Sequence, residues 1–198
     1  MITTITLNKL EKNLGLKLNR HTFVLGLDTA TTTGICKLSI NSTKVTIETS
    51  IMKVPTLPKD NADKSEKYEE ALDALLLMTR DMKNSLNPPV KFNSVLVLEQ
   101  SFLKFFGAWG CNPHTFGYLR AFSGILYSEF YDLFENIKFI YPSACRKSVG
   151  FKSKLEKGTE SKLKKQEIVD WVNLATGMKL DDDNESEAVL LALCGAIA

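Results

Sequence analysis

Two apolar runs in this chain end on a carboxylate. Phe23-Val24-Leu25-Gly26-Leu27 leads into Asp28, and Ser94-Val95-Leu96-Val97-Leu98 leads into Glu99. A third acidic stretch, Asp181-Asp182-Asp183 with Glu185 and Glu187, opens the last apolar segment. Ionised carboxylates are almost never buried alone; they pair or bind a metal. Several in one place repel each other, and a hard divalent cation removes that cost. Mg²⁺ takes oxygen ligands and keeps waters, which suits phosphodiester chemistry. Two such ions can activate a water and stabilise a leaving oxygen. Each acid also has a plainer reading. Asp28 fits a turn aspartate bonded to its own loop through Thr31 or Thr32. Glu99 fits an ordinary strand-end residue. Glu187 fits a capping box with Asn184 as N-cap. Residues 181–183 fit a solvated turn at a helix N-terminus.

The elements that must position these acids follow from apolar patterning. Residues 23–28, 34–40 and 45–52 read as strands, the last two joined by the polar connection Asn41-Ser42, so the chain opens as an antiparallel meander. Residues 62–86 have helical spacing and stop at Asn87-Pro88-Pro89. The strand 94–99 follows that helix, which predicts a parallel partner for 23–28. Asp28 and Glu99 would then emerge side by side at the carboxyl edge, where α/β sheets bind ligands. A helix over 114–135 is predicted, with close packing at Gly117 and Gly124. A short strand over 137–141 is closed by Pro142. A helix over 159–176 ends at Gly177, a good C-cap. The last helix, 185–197, is apolar nearly all round and therefore buried. Residues 1–20 read as an N-terminal arm or a short amphipathic helix, and 21–198 as the main domain.

The chain's 198 residues suffice for one domain with a proper core. A net charge of +2 forces no nucleic-acid or membrane partner. The four cysteines are scattered singly, without zinc-ligand spacing or a disulfide framework, which fits a reducing, cytoplasmic setting. No run has transmembrane length.

Between the acids lie a basic segment and an aromatic one. Residues 144–165 carry Arg146, Lys147, Lys152, Lys154, Lys157, Lys162, Lys164 and Lys165; residues 100–112 carry Phe102, Phe105, Phe106 and Trp109. A charge run is usually a solvated face, and the aromatics could be core. Taken with the acids, however, they form one coherent site for a nucleic acid. At this point the chain resembles the RuvC-type Holliday junction resolvases, especially those carried by bacteriophages, within the ribonuclease H-like nucleases. The resemblance covers residues 23–197. It rests on Leu27-Asp28-Thr29-Ala30-Thr31-Thr32-Thr33-Gly34, on Leu98-Glu99-Gln100-Ser101-Phe102, and on Tyr141-Pro142-Ser143 with Arg146-Lys147. The Lys164-Lys165 helix reaching Trp171-Val172-Asn173, and Asp183-Asn184-Glu185-Ser186-Glu187-Ala188, complete it.

The resemblance implies an α/β, ribonuclease H-like fold: a mixed five-stranded sheet, three antiparallel strands then parallel ones, with helices on both faces. It implies a homodimeric, Mg²⁺-dependent endonuclease that nicks two strands of a four-way DNA junction symmetrically. Two Mg²⁺ ions, for which Mn²⁺ can substitute, would be held by Asp28, Glu99, Glu187 and Asp183 as catalytic residues. The acid that many members place three residues before the last one falls on Asn184, so Asp183 or Glu185 would replace it. Lys164, Lys165, Arg146 and Lys147 are the implied DNA-binding residues, and Phe102 the aromatic that helps open a junction. The alternatives are a ribonuclease H-like nuclease for other branched DNA or an RNA–DNA hybrid, and a non-catalytic branched-DNA-binding protein.

Overall fold

The computed structural model describes residues 1–55, 64–86, 93–100, 113–156 and 158–198. Its centre is a six-stranded mixed sheet, ordered β1-β4-β3-β2-β5-β6. In chain order these strands are β1 (Ile2–Thr6), β2 (Thr22–Asp28), β3 (Thr32–Ile40), β4 (Lys44–Lys53), β5 (Ser94–Glu99) and β6 (Asn136–Ile140). Strands β1 to β4 pair antiparallel, whereas β5 runs parallel to β2 and β6 parallel to β5. The helices are α1 (Leu7–Leu14), α2 (Lys64–Leu86), α3 (Pro113–Phe130), α4 (Pro142–Ser148), α5 (Ser161–Thr176) and α6 (Asp183–Ala196). The architecture is therefore the expected α/β arrangement, with one strand more than the five anticipated.

That extra strand precedes the short amphipathic helix read in the first twenty residues, which is α1. Ile2-Thr3-Thr4-Ile5-Thr6 is wholly β-branched, a composition that suits a pleated surface. It pairs with β4, with Ile5 opposite Val45, and Ile5 is buried while Ile2 is exposed. The helical leucines begin only afterwards: Leu7, Leu10 and Leu14 of α1 are buried at helical spacing. The β3–β4 hairpin turns as expected, with Asn41 Oδ1 accepting hydrogen bonds from the Thr43 and Lys44 amides at 2.9 and 2.6 Å.

The sheet separates two cores. On one face Leu25, Leu27, Leu96 and Leu98 pack with Ala71, Leu75 and Met82 of α2 and Phe122, Leu126 and Phe130 of α3. On the other face Val24, Val95 and Val97 pack with Leu10 of α1, Ile168 and Val172 of α5 and the apolar side chains of α6. One face of α5 is apolar and packed: Ile168, Val172 and Ala175 are buried, and Trp171 meets the Phe151 ring edge-on at 5.8 Å. Gly177 terminates α5 at φ +77°, its amide donating to Asn173 O. The expected close packing at Gly117 and Gly124 is not found; a side chain at either would meet open space. Both glycines lie on the exposed side of α3, and the tight approaches fall on other glycines. Among the described residues no helix is long and apolar enough to cross a membrane.

Candidate functional site

Strands β2 and β5 are in parallel register, with Leu27 opposite Leu98. Asp28 and Glu99 are the next residues on each strand, so they leave the sheet side by side. Side chains alternate faces along a strand. Leu27 and Leu98 point into the core beneath α2 and α3, so Asp28 and Glu99 point to the opposite face, that of α6.

Helix α6 is held on that face by the absence of side chains beneath it. A Cβ added to Gly26 would stand 2.4 Å from Ala188 O, and one added to Gly34 would stand 1.9 Å from Asn184 O. Ala188 and Ala192 keep the helix side of this packing small. The helix starts where Asp182 caps it: its carboxylate accepts from the amides of Asn184 at 2.8 Å and Glu185 at 3.0 Å. This corrects two readings. Asn184 is not the N-cap, and Asp182 is not simply solvated. With α6 beginning at Asp183, Asp183 and Glu187 are one turn apart on one face.

The result is a cleft of about 530 Å³ lined by Asp28, Glu99, Asp183 and Glu187. Lys164 and Lys165 of α5 and Arg146 of α4 line it as well. Lys165 Nζ lies 2.5 Å from an Asp183 carboxylate oxygen. The Arg146 guanidinium pairs with Glu187 through Nη2 and Nε. The loop after Asp28 satisfies its hydroxyls elsewhere: Thr29 Oγ1 donates to Glu99 O and Thr33 Oγ1 to Ala30 O. These bonds brace the loop without Thr31 or Thr32.

No family model matches the sequence, and no curated protein matches it. Solved structures do. Thermus thermophilus RuvC superposes with a TM-score of 0.56 at 13% identity, over 87% of this chain and 92% of that one. T. thermophilus RuvC in complex with a Holliday junction substrate gives 0.57 at 13% identity, over 88% and 92%. The yeast mitochondrial Holliday junction resolvase Ydc2 gives 0.47 at 14% identity, over 93% and 82%. The chain has the RuvC fold.

Within this RuvC fold the cleft is electrostatically frustrated. Asp28 is only 6% exposed. Burial, then the hydrogen bond and charge of Glu99, and then Asp183, push the Asp28 carboxyl far above its usual range, with Lys165 opposing. Two like charges side by side cannot both ionise cheaply, which favours the protonated form of Asp28 beside Glu99. Burial also raises Glu187, against the pull of Arg146. The Lys165 ammonium is raised by its bond to Asp183. The raised Asp28 and two cations therefore offset only part of the acids' charge. Among the described residues no three acid, histidine or cysteine side chains converge as a ready-made metal cage. The donor set is nevertheless all oxygen and over-supplied with negative charge, which is what a hard divalent cation takes.

Of the residues singled out from sequence, the RuvC-fold cleft gathers the four acids, Lys164, Lys165 and Arg146. Lys147 is exposed and is not part of its described lining. Phe102 lies outside the described residues. Glu185 does not line the cleft either, which leaves Asp183 as the acid placed with Glu187. Sequence reasoning missed Phe116 of α3, which lines the cleft with the Arg120 guanidinium 5.9 Å from its ring centroid. It sits inside a helix of apolar residues, where nothing distinguishes it from core.

Proposed function

We propose that this chain is a Mg²⁺-dependent, structure-selective DNA endonuclease that resolves four-way junctions by paired nicks. The observation that carries the reading is the single cleft in which Asp28 and Glu99, at adjacent strand ends, face Asp183 and Glu187 beside Lys164, Lys165 and Arg146. Support also comes from the likeness to a RuvC whose structure holds a Holliday junction substrate.

Asp28, Glu99, Asp183 and Glu187 are the residues that would hold Mg²⁺. When bound, the ions supply the Lewis acidity that activates a water and stabilises the leaving oxygen. The chain's own groups do the rest. Gly26 and Gly34 seat α6 so that its acids meet those of the sheet. Without metal, Lys165 and Arg146 neutralise Asp183 and Glu187. Were a divalent cation to neutralise those acids, the same two side chains would be free to hold phosphate oxygens. Lys164, which also lines the cleft, holds phosphates as well. Such interactions give affinity without reading sequence.

Lys164→Ala combined with Lys165→Ala is expected to weaken binding to every DNA and to flatten its salt dependence. Each phosphate left without its lysine lowers the slope of log K against log salt by about 0.9. Titrations of labelled junction and duplex across a salt series, with Ca²⁺ in place of Mg²⁺ to occupy the acids, measure this. An unchanged slope would leave these lysines as a solvated face. Titrating an RNA–DNA hybrid alongside tests the alternative substrate, since preference for the hybrid would replace the junction assignment.

Paired nicking calls for a two-fold protein on a two-fold substrate, and we place the homodimer interface on an exposed aromatic patch. Tyr127, Tyr131, Phe139 and Tyr141 are 41 to 65% exposed at the β6 edge and the end of α3. The Tyr127 ring lies 5.7 Å from Tyr131 and 6.0 Å from Phe139, centroid to centroid. A contiguous exposed apolar patch marks an interaction surface, and a two-fold dimer buries one patch against itself. Tyr127→Asp with Tyr131→Asp is expected to give a monomer by light scattering. A variant that stays dimeric moves the interface elsewhere.

A further inference from the structure

The cleft has a wall that its acids and cations do not account for. Phe116 and Leu119 of α3 and Pro142 at the head of α4 line it together with Asp28 and Glu99. Phe116 and Leu119 lie three residues apart on α3, so they share one side of the helix. The core side of α3 is a different one, carried by Tyr118, Phe122, Leu126 and Phe130. Among the described residues neither Phe116 nor Leu119 belongs to either core, and both are half-buried. The Arg120 guanidinium stands 5.9 Å from the Phe116 ring centroid, within reach of a cation–π contact, and Arg120 itself is exposed. An aromatic ring is thus left partly bare in a cleft whose floor is charged. Apolar surface rimmed by polar groups in a concave site is where a ligand's own apolar part is received.

We propose that Phe116, backed by Leu119 and Pro142, is the platform for one unpaired nucleobase next to the phosphate held at the acids. The inference rests on the nucleic-acid reading above, which puts a phosphate beside the four acids, Lys164, Lys165 and Arg146; the platform adds what the strand must look like there. Every base has a π-face, so any of them stacks on a phenyl ring. Stacking needs a free face. A base inside a duplex has both faces covered by its neighbours. It reaches the wall only after leaving the stack, at a cost that is least where the nucleotide is already unpaired. The charged groups hold phosphate in any strand, whereas Phe116 favours only a strand with a free base. The cleft therefore prefers DNA with an unpaired nucleotide to continuous duplex, and a fully paired four-way junction fills the platform by opening at its crossing point. Arg120 steadies the ring and puts a cation beside it.

The test measures binding by the full chain, with Ca²⁺ in place of Mg²⁺ to occupy the acids. Three labelled DNAs are compared: a continuous duplex, the same duplex with one unpaired nucleotide, and that second DNA with the unpaired nucleotide lacking its base. Wild type is expected to bind the second about tenfold tighter than the third, the size of one base stacked on an aromatic ring. In Phe116→Ala, shown folded by circular dichroism, affinity for the second falls to that for the third. Phe116→Tyr, which keeps the ring, keeps the preference. Wild type that binds the second and third alike overturns the platform and leaves the nuclease reading standing; wild type that binds no DNA overturns both. A preference that survives in Phe116→Ala overturns the platform too. So does a Phe116→Ala variant that weakens all three DNAs equally, since that is the mark of a ring that only shapes the cleft. None of these readouts depends on DNA cleavage.

Discussion

Asp28→Asn is expected to abolish junction cleavage while making the metal-free protein more stable. The loss would follow from removing a carboxylate proposed to hold Mg²⁺. Charge stabilisation of several kcal/mol at the reacting phosphate corresponds to about a thousandfold or more in rate. The gain in stability follows from burial. Asp28 has its folded-state pKa raised above the unfolded value, so its contribution is fully present only below the ordinary carboxylate range and is lost as pH rises through the folded value. At neutral pH and without metal, wild type bears that cost. Asparagine keeps a donor toward Glu99 and carries no charge. Each kcal/mol regained raises the Tm of a domain this size by about 2–4 °C. Thermal melts in EDTA and in Mg²⁺ measure both halves. Wild type should gain stability from Mg²⁺ by mass action, and the variant should not. A variant that melts lower in EDTA, or that cleaves normally, contradicts the frustrated-acid account.

The second large effect separates the acids at the start of α6. Asp183→Asn and Glu187→Gln are each expected to lower the rate strongly and to raise the Mg²⁺ needed for half-maximal cleavage. Glu185→Gln is the control, since Glu185 does not line the cleft. Asp181→Asn, in the exposed turn before the helix, should also change little. Asp182→Ala tests position and not ligation. It removes the cap that accepts from the Asn184 and Glu185 amides, a loss of about 1 kcal/mol, and excess Mg²⁺ should partly restore its rate. An inactive Glu185→Gln beside an active Asp183→Asn would make Glu185 the ligand.

The parts legible in the sequence were those where one physical rule dominates. A continuous apolar run ending on a carboxylate specifies both a buried strand and an acid at its edge, so Asp28 and Glu99 could be paired before their register was known. The apolar surround of α6 fixed it as buried, and Gly177 fixed the end of α5. The missed parts are short or depend on tertiary packing. Residues 2–6 and the seven-residue α4 are too short for periodicity to distinguish, although Pro142 at the head of α4 is a helix-start signal. The cap fell to Asp182 and not to Asn184, because three consecutive aspartates and an asparagine offer equivalent local choices. Packing of Gly34 against Asn184 O makes that choice, and neither residue announces it. The pairing of Arg146 with Glu187 joins residues 41 apart and follows from α4 lying on α6.

The decisive experiment is incubation of the wild-type chain with an end-labelled four-way junction, with Mg²⁺ or with EDTA. With Mg²⁺, two symmetrically placed nicks that yield duplex products are expected; with EDTA, the junction should stay bound and intact. A junction that is bound but left uncut across Mg²⁺ and Mn²⁺ concentrations would contradict the nuclease assignment and make the protein a non-catalytic binder of branched DNA.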